Sequence, residues 1–326
     1  MSGRSLACIS AVAAALLRPR GASRPIPVNI KIIGVPMDLG ASRRGTDMGP
    51  SAMRAARLGP RIERLGHNVE DLGNIYSPTV ETKGPGNPRL RYADEITRVC
   101  DTLARRVEKV VQAGEFPLVL GGDHSIAMGT VGGVARAIGA GRTGVIWVDA
   151  HGDFNTADTS PTGNIHGMPY AAICGIGEQA LTELGGVNPK VKCENAVIVG
   201  ARDIDPEEGT LLKKAGVTVF TMREIDERGI RRVMEDALDA ACRNVAHLHV
   251  SFDADSVDPE DAPGVGTPVP GGLTYREAHL AMEMASEVPF FKSLEIVEVN
   301  PLMDERNRTA ELMVGLAASA LGKRIL

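Results

Sequence analysis

Aromatic side chains make up only 3% of the chain, too few for a surface that stacks on nucleic-acid bases. The formal net charge of -5 also argues against a nucleic-acid partner, because such binders carry a basic face. No run of like charges is long enough to make an acidic or basic tail. The five cysteines (Cys8, Cys100, Cys174, Cys193 and Cys242) are scattered, odd in number and without a C-x-x-C pair. That pattern speaks against a disulfide framework or a zinc knot, and leaves reduced thiols buried as small side chains. No apolar stretch reaches the roughly 18 residues that a membrane-spanning helix needs. There is no G-x-G-x-x-G after the first β-rich run and no P-loop, so a nucleotide-binding dehydrogenase lacks its fingerprint.

Acidic residues are missing from the N-terminal segment altogether; the first is Asp38. Residues 1–28 instead carry Arg4, Arg18, Arg20 and Arg24, several serines and an Ala/Leu-rich stretch from Leu6 to Leu17. This composition reads as a leader: a loosely ordered tail, an organelle transit peptide, or the product of an upstream start codon. Arg18 and Arg20 stand where a secretory signal would have its small-residue cleavage site, which disfavours that reading. The expected location is cytoplasmic, with the mitochondrial matrix as the alternative if the leader is a transit peptide.

Hydrophobic residues make up 43% of the 326 and charged ones 24%, a balance that supplies a sizeable core. From Asn29 onward short β-rich runs alternate with longer helical stretches. The expected strands are Ile30–Val35, Pro117–Leu120, Gly144–Ala150, Ala196–Gly200, Val217–Phe220, His247–Asp253 and Leu294–Val299. Expected helices include Pro50–Leu65, Tyr92–Ala113, Ile230–Cys242 and Tyr275–Ser286. Nearly continuous apolar strands alternating with helices predict an α/β fold. We expect one three-layer domain over residues 29–326, with a mostly parallel central sheet and helices on both faces.

Three islands close predicted strands: Gly121-Gly122-Asp123-His124-Ser125, Asp149-Ala150-His151-Gly152-Asp153 and Ser251-Phe252-Asp253-Ala254-Asp255. Parallel sheets bind ligands at the carboxyl ends of their strands, so the three islands are expected to meet in one crevice. In extended chain, residues two apart share a side, which groups Asp149 with His151 and Asp153, and Asp253 with Asp255. So many carboxylates and imidazoles at the end of an apolar sheet are unfavourable without a cation. His124, Asp149, His151, Asp153, Asp253 and Asp255 offer two imidazoles, four carboxylates and no thiolate. That set suits a pair of hard divalent ions such as Mn2+ better than structural zinc, and its four negative charges balance two such ions. A lone Asp-x-Asp or His-x-Asp is usually a turn or a cap; three complementary islands at three strand ends carry the metal reading.

These islands resemble the metal-binding signatures of the ureohydrolases, the arginase–agmatinase family. The likeness runs from about Ile30 to Leu326. It includes Gly34-Val35-Pro36-Met37-Asp38-Leu39-Gly40, Asn164-Ile165-His166-Gly167-Met168-Pro169, Gly264-Val265-Gly266-Thr267-Pro268-Val269 and Glu298-Val299-Asn300-Pro301, and is nearest to the bacterial-type arginases. The resemblance implies two Mn2+ ions on the six residues, a metal-bridging hydroxide as nucleophile, and hydrolysis of L-arginine to L-ornithine and urea. It implies that Asp153 orients the hydroxide, His166 shuttles a proton and Glu298 holds the guanidinium. A buried structural histidine and an ordinary strand-end carboxylate are the plainer readings of those last two.

At the other end of the substrate, the loop from Asn155 to Asn164 supplies an amide and several hydroxyls that donate to a carboxylate. By the resemblance, Asn155, Ser160 and Thr162 fall at carboxylate-contacting positions, with Thr162 where serine is common. Asp205 and Glu208 fall where the α-ammonium binds. Their spacing also reads as a helix N-cap and its third residue, and both readings hold together. An agmatinase or another guanidino-compound hydrolase is the alternative within the family, and a non-catalytic metal-binding protein the remote one. The resemblance also implies a homotrimer or homohexamer.

Overall fold

Apolar runs with no polar side to turn to water need cover on both faces, and here they assemble into one eight-stranded sheet. The computed structural model describes residues 27–323. The leader expected over residues 1–28 thus lies, but for its last two residues, outside the described residues. The strands are β1 (Asn29–Val35), β2 (Asn68–Asn74), β3 (Phe116–Gly121), β4 (Thr143–Val148), β5 (Val191–Ala201), β6 (Thr218–Thr221), β7 (His247–Asp253) and β8 (Phe291–Val297). Their order is β2-β1-β3-β8-β7-β4-β5-β6. Every ladder in the sheet is parallel. The expected mostly parallel sheet is thus wholly so, and a small antiparallel hairpin (Gly86–Asn87 with Leu90–Arg91) lies outside it.

Alternation along each strand builds two cores. Leu118 and Leu120 of β3, Ile146 and Val148 of β4, Leu248 and Val250 of β7 and Leu294 and Ile296 of β8 share one cluster with apolar residues of Ile230–Ala241, Tyr275–Ser286 and Arg308–Ala320. Val119, Val145, Trp147 and Val297 turn the other way, toward α1 (Ala93–Gln112) and α2 (Ala127–Ile138). Helix α1 buries Ile96, Val99, Cys100, Leu103, Val107 and Val110, the three-four spacing of a single apolar stripe. This is the expected layering of helix, sheet and helix.

Two expectations need correction. The helix expected over Pro50–Leu65 is two short helices, Gly49–Ala55 and Leu58–Glu63, with Arg57 between them at φ 65°. Pro60 has no N–H to give and its ring excludes the carbonyl four residues back, so the chain must break there. Strand β2 was not expected at all. It is an edge strand with no fully buried residue, so NVEDLGN carries no apolar signal. No helix among the described residues is long and apolar enough to cross a membrane.

The register decides what happens at the carboxyl edge. The four central strands, β3-β8-β7-β4, are the ones followed by the three islands and by Glu298. Close helix cover holds this register. A Cβ on Gly144 of β4 would lie 1.9 Å from the carbonyl oxygen of Ala241. Gly144→Ala should therefore cost about 3 kcal/mol, the upper range for overpacking. Urea unfolding checks it: the midpoint should fall at unchanged slope, and an unchanged midpoint would contradict the close approach.

Candidate functional site

The turn after β3 is built for close approach. A Cβ on Gly122 would sit 1.8 Å from the Met37 carbonyl oxygen, so only glycine fits. Asp123, fully buried, accepts hydrogen bonds from Ser125 N at 3.0 Å and Gly40 N at 2.9 Å, fixing the 3-10 turn that carries His124. The His124 ring stacks on Trp147 of β4, with centroids 3.8 Å apart and planes 7° from parallel. Tyr170 stacks beyond the indole at 4.5 Å. Trp147 Nε1 donates to Asp149 Oδ2 at 2.9 Å, tying the stack to the second island.

The islands do not keep the strand alternation expected of them. β4 ends at Val148, Asp149 Oδ1 accepts His151 N at 2.7 Å, and Asp153 stands at φ 47°. Likewise Asp253 Oδ1 accepts Asp255 N at 2.7 Å over a 3-10 turn. These are Asx turns: each aspartate bends its own backbone so that the next ligand comes back to the same place. The expected clustering is present, for a different reason.

All six residues converge. His124 Nδ1 lies 3.1 Å from Asp149 Oδ2, 3.1 Å from Asp153 Oδ2 and 3.0 Å from Asp253 Oδ2. His151 Nδ1 lies 3.4 Å from Asp149 Oδ1 and 3.1 Å from Asp255 Oδ2. Two overlapping groups could each hold a metal ion, His124 with Asp149 and Asp153, and His151 with Asp149 and Asp255. Asp149 belongs to both, one oxygen toward each imidazole. His124 Nδ1 is buried and has no hydrogen-bond partner, while Nε2 is engaged with Ser251 Oγ at 2.7 Å. A lone pair sealed from water and aimed among three carboxylate oxygens is the donor arrangement a cation fits.

The electrostatics agree. Burial opposes charge on His124, yet Asp149, Asp153 and Asp253 together hold its pKa well above the usual imidazole value. Burial and the Asp149 charge push Asp153 up to about 6. Burial, then Asp255 and Asp149, push Asp253 well above the carboxylate range. Asp149, despite burial, is pulled below that range by the two imidazoles. The cluster is short of positive charge, which a divalent cation supplies.

One cavity opens over the cluster. His151, Asp153, Asn155, Ser160, Thr162, His166, Asp205, Glu208, Asp253, Asp255 and Glu298 all line it. Glu298, at φ 61°, follows β8; its Oε1 accepts His124 N at 2.9 Å and faces His166 Nδ1 at 3.1 Å. Burial lowers and Glu298 raises the His166 pKa, with a net rise to about 9. Ser160 Oγ and Thr162 Oγ1 accept from the backbone N–H groups of Gly163 (3.0 Å) and Asn164 (3.2 Å), leaving their own hydrogens to donate. Asn155 Nδ2 donates to Asp205 Oδ2 at 3.1 Å. The capping box of Asp205 and Glu208 is formed, so the structural reading of that pair holds. Both Glu208 oxygens are taken, by Phe154 N at 2.8 Å and Asp205 N at 3.2 Å, and burial lifts its pKa to about 7.

Asp203, Thr267 and Asn164 also line the cavity and were not singled out in the sequence. Asp203 sits two residues before Asp205, 4.0 Å from His151 Nε2. Thr267 Oγ1 donates to Asp255 Oδ2 at 3.0 Å, a contact between distant loops that no spacing announces.

The model of the arginase family matches residues 28–322. The arginase of Bacillus caldovelox is 53% identical over 298 residues, covering 91% of this chain and 99% of that protein. Its crystal structure superposes with a TM-score of 0.88 at 52% identity, covering 92% of this chain and 100% of that one. The Entamoeba histolytica arginase, solved in complex with L-ornithine, gives 0.84 at 29% identity over 91% of this chain and 100% of that one.

Trp147 is the single tryptophan, stacked on His124 and bonded to Asp149. Adding a divalent transition-metal ion to metal-free protein should change its emission saturably, and His124→Ala should remove or greatly weaken the response. A flat titration of the unaltered protein would sink this cluster as a metal centre.

Proposed function

Because the chain belongs to the arginase family, we propose that it hydrolyses the guanidinium group of L-arginine to L-ornithine and urea, with two Mn2+ ions held by His124, Asp149, His151, Asp153, Asp253 and Asp255. The observation that carries the proposal is one cavity lined both by the carboxylate–imidazole cluster and by the amide, hydroxyl and carboxylate groups of Asn155, Ser160, Thr162, Asp205 and Glu208. Four carboxylates match the charge of two divalent ions, and the oxygen-rich donor set suits manganese. When bound, such ions lower the pKa of water and stabilise negative charge developing on the substrate.

The chain's own residues then divide the work. Glu298 Oε2 is left for the guanidinium, since Oε1 already meets His124 N and His166 Nδ1; binding through both oxygens requires His166 to turn away. Asp153 orients the attacking oxygen and accepts its proton. His166, with a pKa near 9, is an imidazolium at neutral pH and donates a proton to the leaving amine. The free hydroxyl hydrogens of Ser160 and Thr162 and the amide of Asn155 meet the α-carboxylate, and Asp205 meets the α-ammonium. Glu208 acts by holding the Asp205 turn, each of its oxygens accepting one backbone N–H. The Entamoeba histolytica relative bound to L-ornithine supports an amino acid as the occupant.

Urea release by Mn2+-loaded protein, with L-arginine and agmatine in parallel, tests the proposal. Turnover of arginine alone is expected, with Asp153→Asn lowering kcat by about 100-fold or more. Preference for agmatine would remove the roles given to Asn155, Ser160, Thr162, Asp205 and Glu208. A second prediction concerns pH. His166 must be protonated to donate, so kcat/KM should fall as pH rises through about 9, the value Glu298 gives it in the free protein. His166→Asn should lose that alkaline limb together with about 100-fold in kcat. An unchanged limb in the variant would assign the titration to another group.

A further inference from the structure

Strand β7 alternates His247, His249, Ser251 and Asp253 with Leu248, Val250 and Phe252, a pattern that normally turns the polar set to water. Here all seven are buried. The neighbouring strand β8 presents Ser293 and Glu295 on the same face, in register with His249 and Ser251. Hydrogen bonds join them into a ladder inside the core. His247 Nε2 and His249 Nδ1 meet Ser293 Oγ at 2.7 and 2.8 Å. His249 Nε2 lies 3.3 Å from Glu295 Oε1, and Ser251 Oγ donates to that same oxygen at 2.7 Å. Ser251 Oγ also meets His124 Nε2 at 2.7 Å.

The donor count fixes the direction of the last step. Ser251 spends its only hydrogen on Glu295, so toward His124 it accepts, and the proton on the imidazole sits at Nε2. Nδ1 is then the bare nitrogen, and it is the one aimed at Asp149, Asp153 and Asp253. Glu295 is 0% exposed, and among the described residues no lysine or arginine pairs with it. A carboxylate placed there is costly and has no contact with the cavity, so its effect must pass through its partners.

We infer that Glu295 is a positioning residue for the metal centre, acting through Ser251 to hold His124 with its Nδ1 lone pair free for a cation. The inference rests on the metal reading above. Ligating histidines held by such partners lose about 10–100-fold in metal affinity when the partner is removed.

The test uses the full chain, stripped of metal and titrated with Mn2+ alone by calorimetry and Trp147 emission. Ser251→Ala should weaken the site containing His124 by about 10–100-fold, and Glu295→Gln by about 10-fold. The double variant should be no weaker than Ser251→Ala, because the carboxylate has no route left once the hydroxyl is gone. Melting of the metal-free Glu295→Gln protein should stay within a few degrees of the unaltered protein, which a merely structural ladder would not allow. If Ser251→Ala fails to fold, the near-isosteric Glu295→Gln carries the test alone. Variants that bind Mn2+ like the unaltered protein, or losses that multiply in the double variant, would overturn the inference. Failure of the unaltered protein itself to bind Mn2+ would instead overturn the metal reading, and the inference with it.

Discussion

Four carboxylates within hydrogen-bond reach of two imidazoles, nearly all closed to solvent, are an arrangement a chain left to itself would undo. Like charges repel more strongly out of water, and buried anions lose their hydration. The rest of the molecule is what prevents relaxation. Asp149 and Asp253 stand within a residue of the ends of adjacent strands, and His124 is three residues past the end of β3. Their separation is set by parallel ladders and two apolar cores rather than by loop preference. The Trp147 indole fixes the plane of His124 and the direction of Asp149 at once. Scarce aromatics do not mean idle ones, since Trp147, Tyr170 and Phe154 pack together beside the cluster.

The same constraint explains where the backbone is strained. Asp153 and Glu298 both have positive φ, 47° and 61°, a region that costs a non-glycine residue on the order of 1–3 kcal/mol. Each is over-determined by its surroundings. The carbonyl of Asp153 accepts from Tyr170 N at 3.0 Å, and Glu298 N donates to Gly122 O at 2.9 Å. Gly152 completes the fit, because a Cβ there would meet the Glu208 carboxylate at 2.8 Å. Within the candidate site, this strain falls on the two carboxylates that the proposed reaction places nearest the reacting atoms.

Much of this was legible in the sequence, though unevenly. The central strands and all six candidate ligands were readable because unbroken apolar runs and clustered Asp and His are local signals. The edge strand β2 was not, since a half-exposed NVEDLGN looks like a loop. The break at Arg57 is written in Pro60, but the helical periodicity around it masks the signal. Alternation led to the right grouping of Asp149, His151 and Asp153 by the wrong geometry; Asx turns, not extended chain, bring them together. The contacts of Thr267 with Asp255 and of Ser251 with His124 were out of reach, because only tertiary folding joins them.

Strand β7 shows why pattern alone misleads at such a site. Its strict alternation fits a strand with one wet face, yet it lies fifth of eight, between β8 and β4, in a sheet covered on both sides. The polar face survives burial because each rung finds a partner on β8 or on the turn after β3, with only His249 Nε2 and Glu295 Oε2 of the ladder left without a hydrogen bond. That has a consequence for how the molecule divides its tasks. The ligand cluster is tied to the core by its strand ends, and these rungs orient it. Of the residues proposed to read the far end of the substrate, Thr162 and Asp205 are exposed and Ser160 half-buried, while Asn155 and Glu208 are buried. Ser160, Thr162 and Asp205 belong to neither core, so substitutions at these three leave both untouched. Substrate contacts at those three positions can therefore change at less cost in stability than the ligand cluster can.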